Sequence, residues 1–167
     1  LEPYLVATAQ RHPDLAPHLH ALVHQTAQHR TALVHGDVSP KNILVGPHGP
    51  VLLDAECAWY GDPAFDVAFC LNHLLLKSLV VPHRRADLKA AFEAWVSGYF
   101  ESADFEPRAQ LELRCTQLLP ALMLARVDGK SPVEYLTTED DRERVRAFAI
   151  PRVVSPPGDL NELSLAW

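Results

Sequence analysis

The apolar pattern of this chain changes period twice within its first 65 residues, and those two changes constrain its fold more than any other feature. From Leu1 to His29, apolar residues recur at Leu5, Val6 and Ala9 and again at Leu15, Leu19, Leu22 and Val23, the spacing of helices with one buried face. Pro13 and Pro17 predict a break between two short helices, with Asp14 as a candidate cap. Then Ala32 to Val34, Ile43 to Val45 and Val51 to Leu53 form short runs rich in β-branched residues. Gly46-Pro47-His48-Gly49-Pro50 separates the last two, which predicts a hairpin. Helical spacing returns after Pro63 through Phe65, Ala68, Phe69, Leu71, Leu74 and Leu75. Further helices are expected over about 83–101, 107–126 and 138–149. The breaker cluster Pro156-Pro157-Gly158 predicts an extended tail over residues 151–167.

The expected fold is therefore mainly α with a small β-hairpin region, an α+β arrangement in which residues 1–150 make one lobe. Its 167 residues are enough for one sizeable core. A hydrophobic content of 48% with 22% charged residues is that of a folded domain, not a disordered chain. The net charge of -6 and the absence of any Lys/Arg run leave no footprint for nucleic acid or an anionic membrane. No apolar run approaches the roughly 18 residues needed to span a bilayer. Cys57, Cys70 and Cys115 are odd in number and lie in apolar context, so buried reduced thiols and a cytoplasmic location are expected. The chain opens at Leu1 and its single methionine is Met123, which suggests a start inside a longer protein.

Chemistry concentrates between Leu33 and Ala68. His35-Gly36-Asp37 is followed by Asn42 and then, after the predicted hairpin, by Asp54. Phosphoryl transfer needs one carboxylate at a nucleophilic hydroxyl and metal ions, held by oxygen ligands, on the phosphate oxygens. A tight loop from Asp37 to Asn42, stiffened by Pro40, brings two such side chains to one cleft, and a hairpin delivers the third.

This segment resembles the catalytic core of the aminoglycoside phosphotransferase and choline kinase superfamily, which is similar in fold to protein kinases. His35-Gly36-Asp37, where protein kinases have His-Arg-Asp, tips the resemblance towards small-molecule kinases. The family's Asp-Pro before an acidic helix start is matched by Gly61-Asp62-Pro63-Ala64-Phe65-Asp66. The resemblance implies a kinase-like C-terminal lobe that uses ATP and Mg2+ to phosphorylate a hydroxyl of a small molecule: an aminoglycoside, a sugar or an amino alcohol. It implies Asp37 as catalytic base, Asn42 and Asp54 as holders of magnesium and nucleotide phosphates, and Asp66 as a buttress of the loop backbone.

Other residues carry two readings. His35 is expected to be structural, since Asp37 already takes the base role, and Asp62 is expected to cap the helix at Pro63. Glu56 is either the acidic residue of a choline-kinase-like Asp-x-Glu near metal or substrate, or a solvated turn glutamate. Lys41 is placed to touch phosphate or substrate. Trp59 and Tyr60 either line a substrate pocket or pack on the helical body. His20 and His24 are one turn apart but lack a third ligand, so exposed helix histidines are expected rather than a zinc site. Cys57 reads as a small buried filler.

The strand lysine, glycine-rich lid and partner glutamate of a kinase nucleotide clamp have no counterpart before His35. The chain is thus expected to lack the N-terminal nucleotide-clamping lobe and to turn over poorly alone, the rival expectation being a non-catalytic binding or scaffold module. Ser39 stands where many aminoglycoside-modifying members have His. The carboxylates of Glu56, Asp62 and Glu112 lean towards a cationic acceptor.

Overall fold

The computed structural model describes all 167 residues. One turn of π-helix, Glu2–Val6, runs into α1 (Ala7–Arg11), and a short 3-10 turn, Pro13–Leu15, leads to α2 (Ala16–Gln28). The predicted break falls at His12, whose φ of -124° and ψ of 74° are the extended-side values a following proline enforces. The cap expected of Asp14 does not form, because Leu15 holds the N-cap position of α2. His12 Nε2 instead lies 2.8 Å from Asp128 Oδ2, and Arg146 donates to the same carboxylate at 3.0 and 2.8 Å. Burial would raise the Asp128 carboxyl, but the bonds from Arg146 and His12 outweigh it and hold it below its ordinary value.

The β segments pair as two small antiparallel ribbons. Strands β2 (Ile43–Gly46) and β3 (Gly49–Leu52) make the predicted hairpin through a two-residue turn at Pro47-His48, and Gly49 takes a φ of +109° that suits glycine. The third apolar run, β1 (Ala32–Val34), pairs with β4 (Trp59–Gly61), matching Val34 to Trp59 and Ala32 to Gly61. That second pairing is a long-range contact with no turn signal to announce it.

The body is α3 (Ala64–Val80), α4 (Arg85–Ser102), α5 (Arg108–Asp128) and α6 (Glu139–Val154), closed by α7 (Leu160–Ala166). Their bounds fall within a few residues of the expected helices, so the chain is mainly helical with small antiparallel sheets. Helix α3 buries Phe65, Val67, Ala68, Phe69, Leu71, Leu75 and Leu76, a nearly all-round apolar surface that suits an interior helix. It packs on α4 and α5, and α5 packs on α6. Burying one such Phe or Leu is worth about 1.5–3 kcal/mol, so this helix anchors everything attached to its N-terminus.

Two expectations are corrected. Residues 151–167 are not an extended tail: α6 continues through Pro151 to Val154, and α7 follows. Pro151 forfeits one ladder bond, but Val153 is buried beyond it, and Arg152 donates to the Phe148 carbonyl at 2.9 Å while stacking 4.0 Å from that ring. Asp159 caps α7 through the Glu162 amide at 2.7 Å, and Trp167 donates to Leu75 O and Ser78 Oγ at 3.1 and 2.8 Å. Packing and capping thus override the breaker cluster. Cys57 is exposed rather than buried, because the short 3-10 turn Ala55–Cys57 faces outward, whereas Cys70 and Cys115 are buried. Burial pushes the Cys70 thiol up to about 12. No helix is long and apolar enough to cross a membrane.

Candidate active site

The site begins where β1 ends. Gly36 turns the chain at a φ of +85°, and a Cβ there would stand 2.6 Å from the Trp59 ring and 2.7 Å from the Cys57 carbonyl oxygen. Only glycine fits. The turn is pinned from below by Asp66 in the first turn of α3: the His35 amide donates to Oδ2 at 2.7 Å and the Gly36 amide to Oδ1 at 2.9 Å. Burial pushes the Asp66 carboxyl up against the opposing pull of those two amides. His35 ties the turn sideways. Its Nδ1 accepts the Asp37 amide at 3.2 Å, so Nε2 carries the proton and donates to the Leu53 carbonyl at 2.9 Å.

Asp37 and Asn42 meet across the loop. Asn42 Nδ2 donates to Asp37 Oδ2 at 2.8 Å and to the Asp37 carbonyl at 3.0 Å, which turns its Oδ1 away and leaves that oxygen's lone pairs available. Pro40–Asn42 is a 3-10 turn whose last amide donates to Ser39 O at 2.9 Å. The Asn42 carbonyl in turn accepts the Leu53 amide at 2.8 Å, so the end of the hairpin is bonded to the end of the loop. The next residue is Asp54, and it alone among non-glycine residues has positive φ (64°, with ψ 52°). A left-handed residue held at such a place is a strained feature that asparagine and aspartate tolerate best. Lys41 Nζ lies 3.2 Å from Asp37 Oδ2, but the lysine side chain is 70% exposed, so this pair is screened and weak. Glu56 is exposed and forms no ion pair.

The donor set here is oxygen only: two carboxylates and one amide. Hard divalent cations such as Mg2+ take such ligands and usually complete their shell with phosphate oxygens and water. No group of three or more His, Cys, Asp or Glu side chains is placed to hold a metal ion by itself. Asn42 and Asp54 therefore fit a cation shared with a polyphosphate better than a protein-only cage.

Beneath the loop lies an aromatic stack. Trp59 meets Phe65 edge-on at 5.4 Å, Phe65 stacks on Phe69 at 5.5 Å, and Phe69 meets His73 at 5.3 Å. Trp59 is thus a packing residue, while Tyr60 is exposed. Asp62 is fully buried: its Oδ1 accepts the Ala64 amide at 3.0 Å, as expected of a helix cap. Arg114 from α5 also donates to Asp62 at 3.0 and 3.2 Å and to Glu106 at 2.7 and 2.8 Å. Glu112 pairs with Arg108 at 3.3 Å. Asp62 is thus not free to meet a cationic acceptor, which removes one of the carboxylates behind that expectation. No local pattern announced Arg114, which lies 52 residues from its partner.

Seven of the twelve large apolar side chains left exposed lie on or beside the β segments: Leu33, Leu44, Val45, Val51, Leu52, Leu53 and Tyr60. Beside them, on the Gly36 side of the loop, a largely apolar cavity of about 800 Å³ is lined by Tyr4, Cys57, Trp59, Tyr60 and Phe65 among others.

Comparisons with known proteins place the chain in a family. Residues 2–99, more than half of the chain, match the model of the phosphotransferase enzyme family. Methylthioribose kinase of Cronobacter sakazakii is 34% identical over 71 residues, 42% of this chain and 18% of that protein. That of Erwinia tasmaniensis is 32% identical over 82 residues, 49% of this chain and 20% of that protein, and that of Citrobacter koseri is 36% identical over 62 residues. The matched stretch spans about a fifth of these relatives' length. With the family model covering the loop, the hairpin and the helices that hold them, this chain belongs to the phosphotransferase enzyme family.

Proposed function

We propose that the chain carries the catalytic and metal-holding part of an ATP- and magnesium-dependent kinase that moves the γ-phosphoryl group to a hydroxyl of a small molecule. The observation that carries this reading is the single hydrogen-bonded unit formed by Asp37, Asn42 and Leu53, the residue before Asp54. Asp37 accepts the proton of the acceptor hydroxyl, and its bond from Asn42 aims the carboxylate. Asn42 Oδ1 and Asp54 would hold magnesium, which supplies charge neutralisation on the transferring phosphate. Asp66 and His35 fix the loop backbone so that these groups need not reorganise when the acceptor arrives. Glu56, on the same turn as Asp54, stands near enough in sequence to face metal or substrate.

The relatives' name, methylthioribose kinase, supports a sugar-like hydroxyl acceptor. The exposed apolar residues of the β segments are where a nucleotide-clamping N-terminal lobe would seat, this chain being the C-terminal lobe of the complete kinase. A cytoplasmic setting suits the ATP requirement and the unpaired Cys70 and Cys115.

Transfer from Mg-ATP to a panel of sugars and amino alcohols, measured on the complete kinase, tests the reading. Asp37→Asn should lower turnover on the order of a hundredfold or more with an unchanged melting temperature. A near-normal rate would remove Asp37 from the chemistry.

A further inference from the structure

A pocket of about 310 Å³ opens beside the loop, on the side away from Gly36. Ser39, Pro40 and Lys41 form one wall, α3 contributes His73 and Lys77, α5 contributes Arg126, and the segment Ser131–Tyr135 closes it. Its volume is at the low end of small-ligand sites.

Its polar groups are unusual in what they lack. Ser39 is 1% exposed and its hydroxyl has no hydrogen-bond partner. Nor does the buried Nε of Arg126, although Nη1 of the same guanidinium is tied to the carbonyl and hydroxyl of Ser131. A buried donor without an acceptor costs about 1–3 kcal/mol, so two lining one pocket point to a missing acceptor group. The guanidinium is also held in place, 5.6 Å from the Tyr4 ring and 5.7 Å from the Phe69 ring. Lys77 Nζ is set 4.7 Å above the Tyr135 ring. These donors are preorganised rather than free surface cations.

The charge balance gives the ligand's sign. Lys77 and Arg126 face one lining carboxylate, that of Glu134, which is exposed and pairs with neither, while Lys41 is already paired with Asp37 at 3.2 Å. His73 is buried and bonded at 2.9 Å to the Tyr135 hydroxyl. Burial and the neighbouring Arg126 and Lys77 push it down to about 4, so it adds no charge at neutral pH. A cationic acceptor would meet net repulsion from Lys77 and Arg126, and a neutral one would leave those two cations unanswered.

We infer that the acceptor bound beside Asp37 carries an oxyanion, a carboxylate or a phosphate, which Lys77, Arg126 and the Ser39 hydroxyl receive in this pocket. The inference rests on the kinase reading for the word acceptor, and on the pocket alone for the word oxyanion. Lys41, in contact with Asp37, spans the two.

Calorimetric titration with D-ribonate, D-ribose 5-phosphate, D-ribose and Mg-ATP tests it, since the first three share a carbon skeleton and differ in charge. At least one of the two anions should bind ten times or more tightly than ribose, and comparing them tells carboxylate from phosphate recognition. Lys77→Met should weaken that binding about tenfold while leaving Mg-ATP binding within twofold, and Lys77→Arg should retain it. Glu134→Gln, at an exposed position that cannot unsettle the fold, should tighten it severalfold. Equal binding of ribose, binding of neither anion, or a Lys77→Met loss equal for Mg-ATP and the anions would overturn the inference, the last by assigning the pocket to the nucleotide. If the anion preference and its Lys77 dependence hold while the complete kinase shows no transfer, the kinase reading fails and the pocket's chemistry stands.

Discussion

Between Ala32 and Gly61 the chain exposes most of its large apolar side chains, whereas α3 and α5 bury nearly all of theirs. The first region keeps its shape through polar bonds that are few and specific: Asp66 to two amides, His35 to Leu53, Asn42 to Asp37 and to Leu53. The second keeps its shape through one continuous core that runs from Leu5 to Leu163. The loop buries Val38, Ser39 and Asn42, and its backbone is also pinned by the helix beneath it. Asp66 is the hinge between the two regimes, since one carboxylate links the N-terminal turn of α3 to the backbone before Asp37.

The largest effect that would sharpen this contrast lies in the body. Phe69→Ala removes a fully buried ring from the aromatic stack and should lower unfolding stability by about 3–5 kcal/mol in urea melts. A loss under 1 kcal/mol would show that the stack does not carry the loop.

Next comes pH. His73 has its folded pKa depressed to about 4, so the native state resists a proton that the unfolded chain takes up near 6.5. Its contribution is complete above pH 6.5 and is lost as pH falls from 6.5 to 4, by about 3 kcal/mol at most. Melts across that range should show the fall, and His73→Gln should flatten it; an unchanged slope would place the acid sensitivity elsewhere.

Asp66→Ala should follow, at about 2 kcal/mol, because it strands two amides that now donate to a charged group. Hydrogen exchange should speed up at His35 and Gly36 far more than in α5. Uniform acceleration would mean that the hinge is part of the global core rather than a local pin. Smallest of all, Val45→Thr on the exposed hairpin should change stability by less than about 0.5 kcal/mol, and a larger loss would break the contrast from the other side.

Much of this was legible because it was local. The hairpin followed from Gly46 to Pro50 between two β-branched runs, and the loop from the spacing of Asp37 and Asn42 around Pro40. Helical periodicity placed α3 to α6 within a few residues, except where Val153 and Arg152 carried α6 past Pro151. What stayed hidden depends on side chains far apart in sequence. The β1–β4 pairing, the Asp62–Arg114–Glu106 cluster and the junction of Ser39 with Lys77 and Arg126 have no local signature. Cys57 was misjudged for a related reason: its apolar neighbours are themselves exposed, so local hydrophobicity gave no measure of depth.

The proposal that Asn42 and Asp54 share a cation is tested most directly by paramagnetic broadening of the amide spectrum as Mn2+, a stand-in for Mg2+, is added with ATP. The Asn42 and Asp54 signals should broaden together at one Mn2+ concentration, and Asp54→Ala should abolish the effect at Asn42 as well. Broadening at Asn42 that persists unchanged in Asp54→Ala would show that the loop and the hairpin end do not serve the same ion.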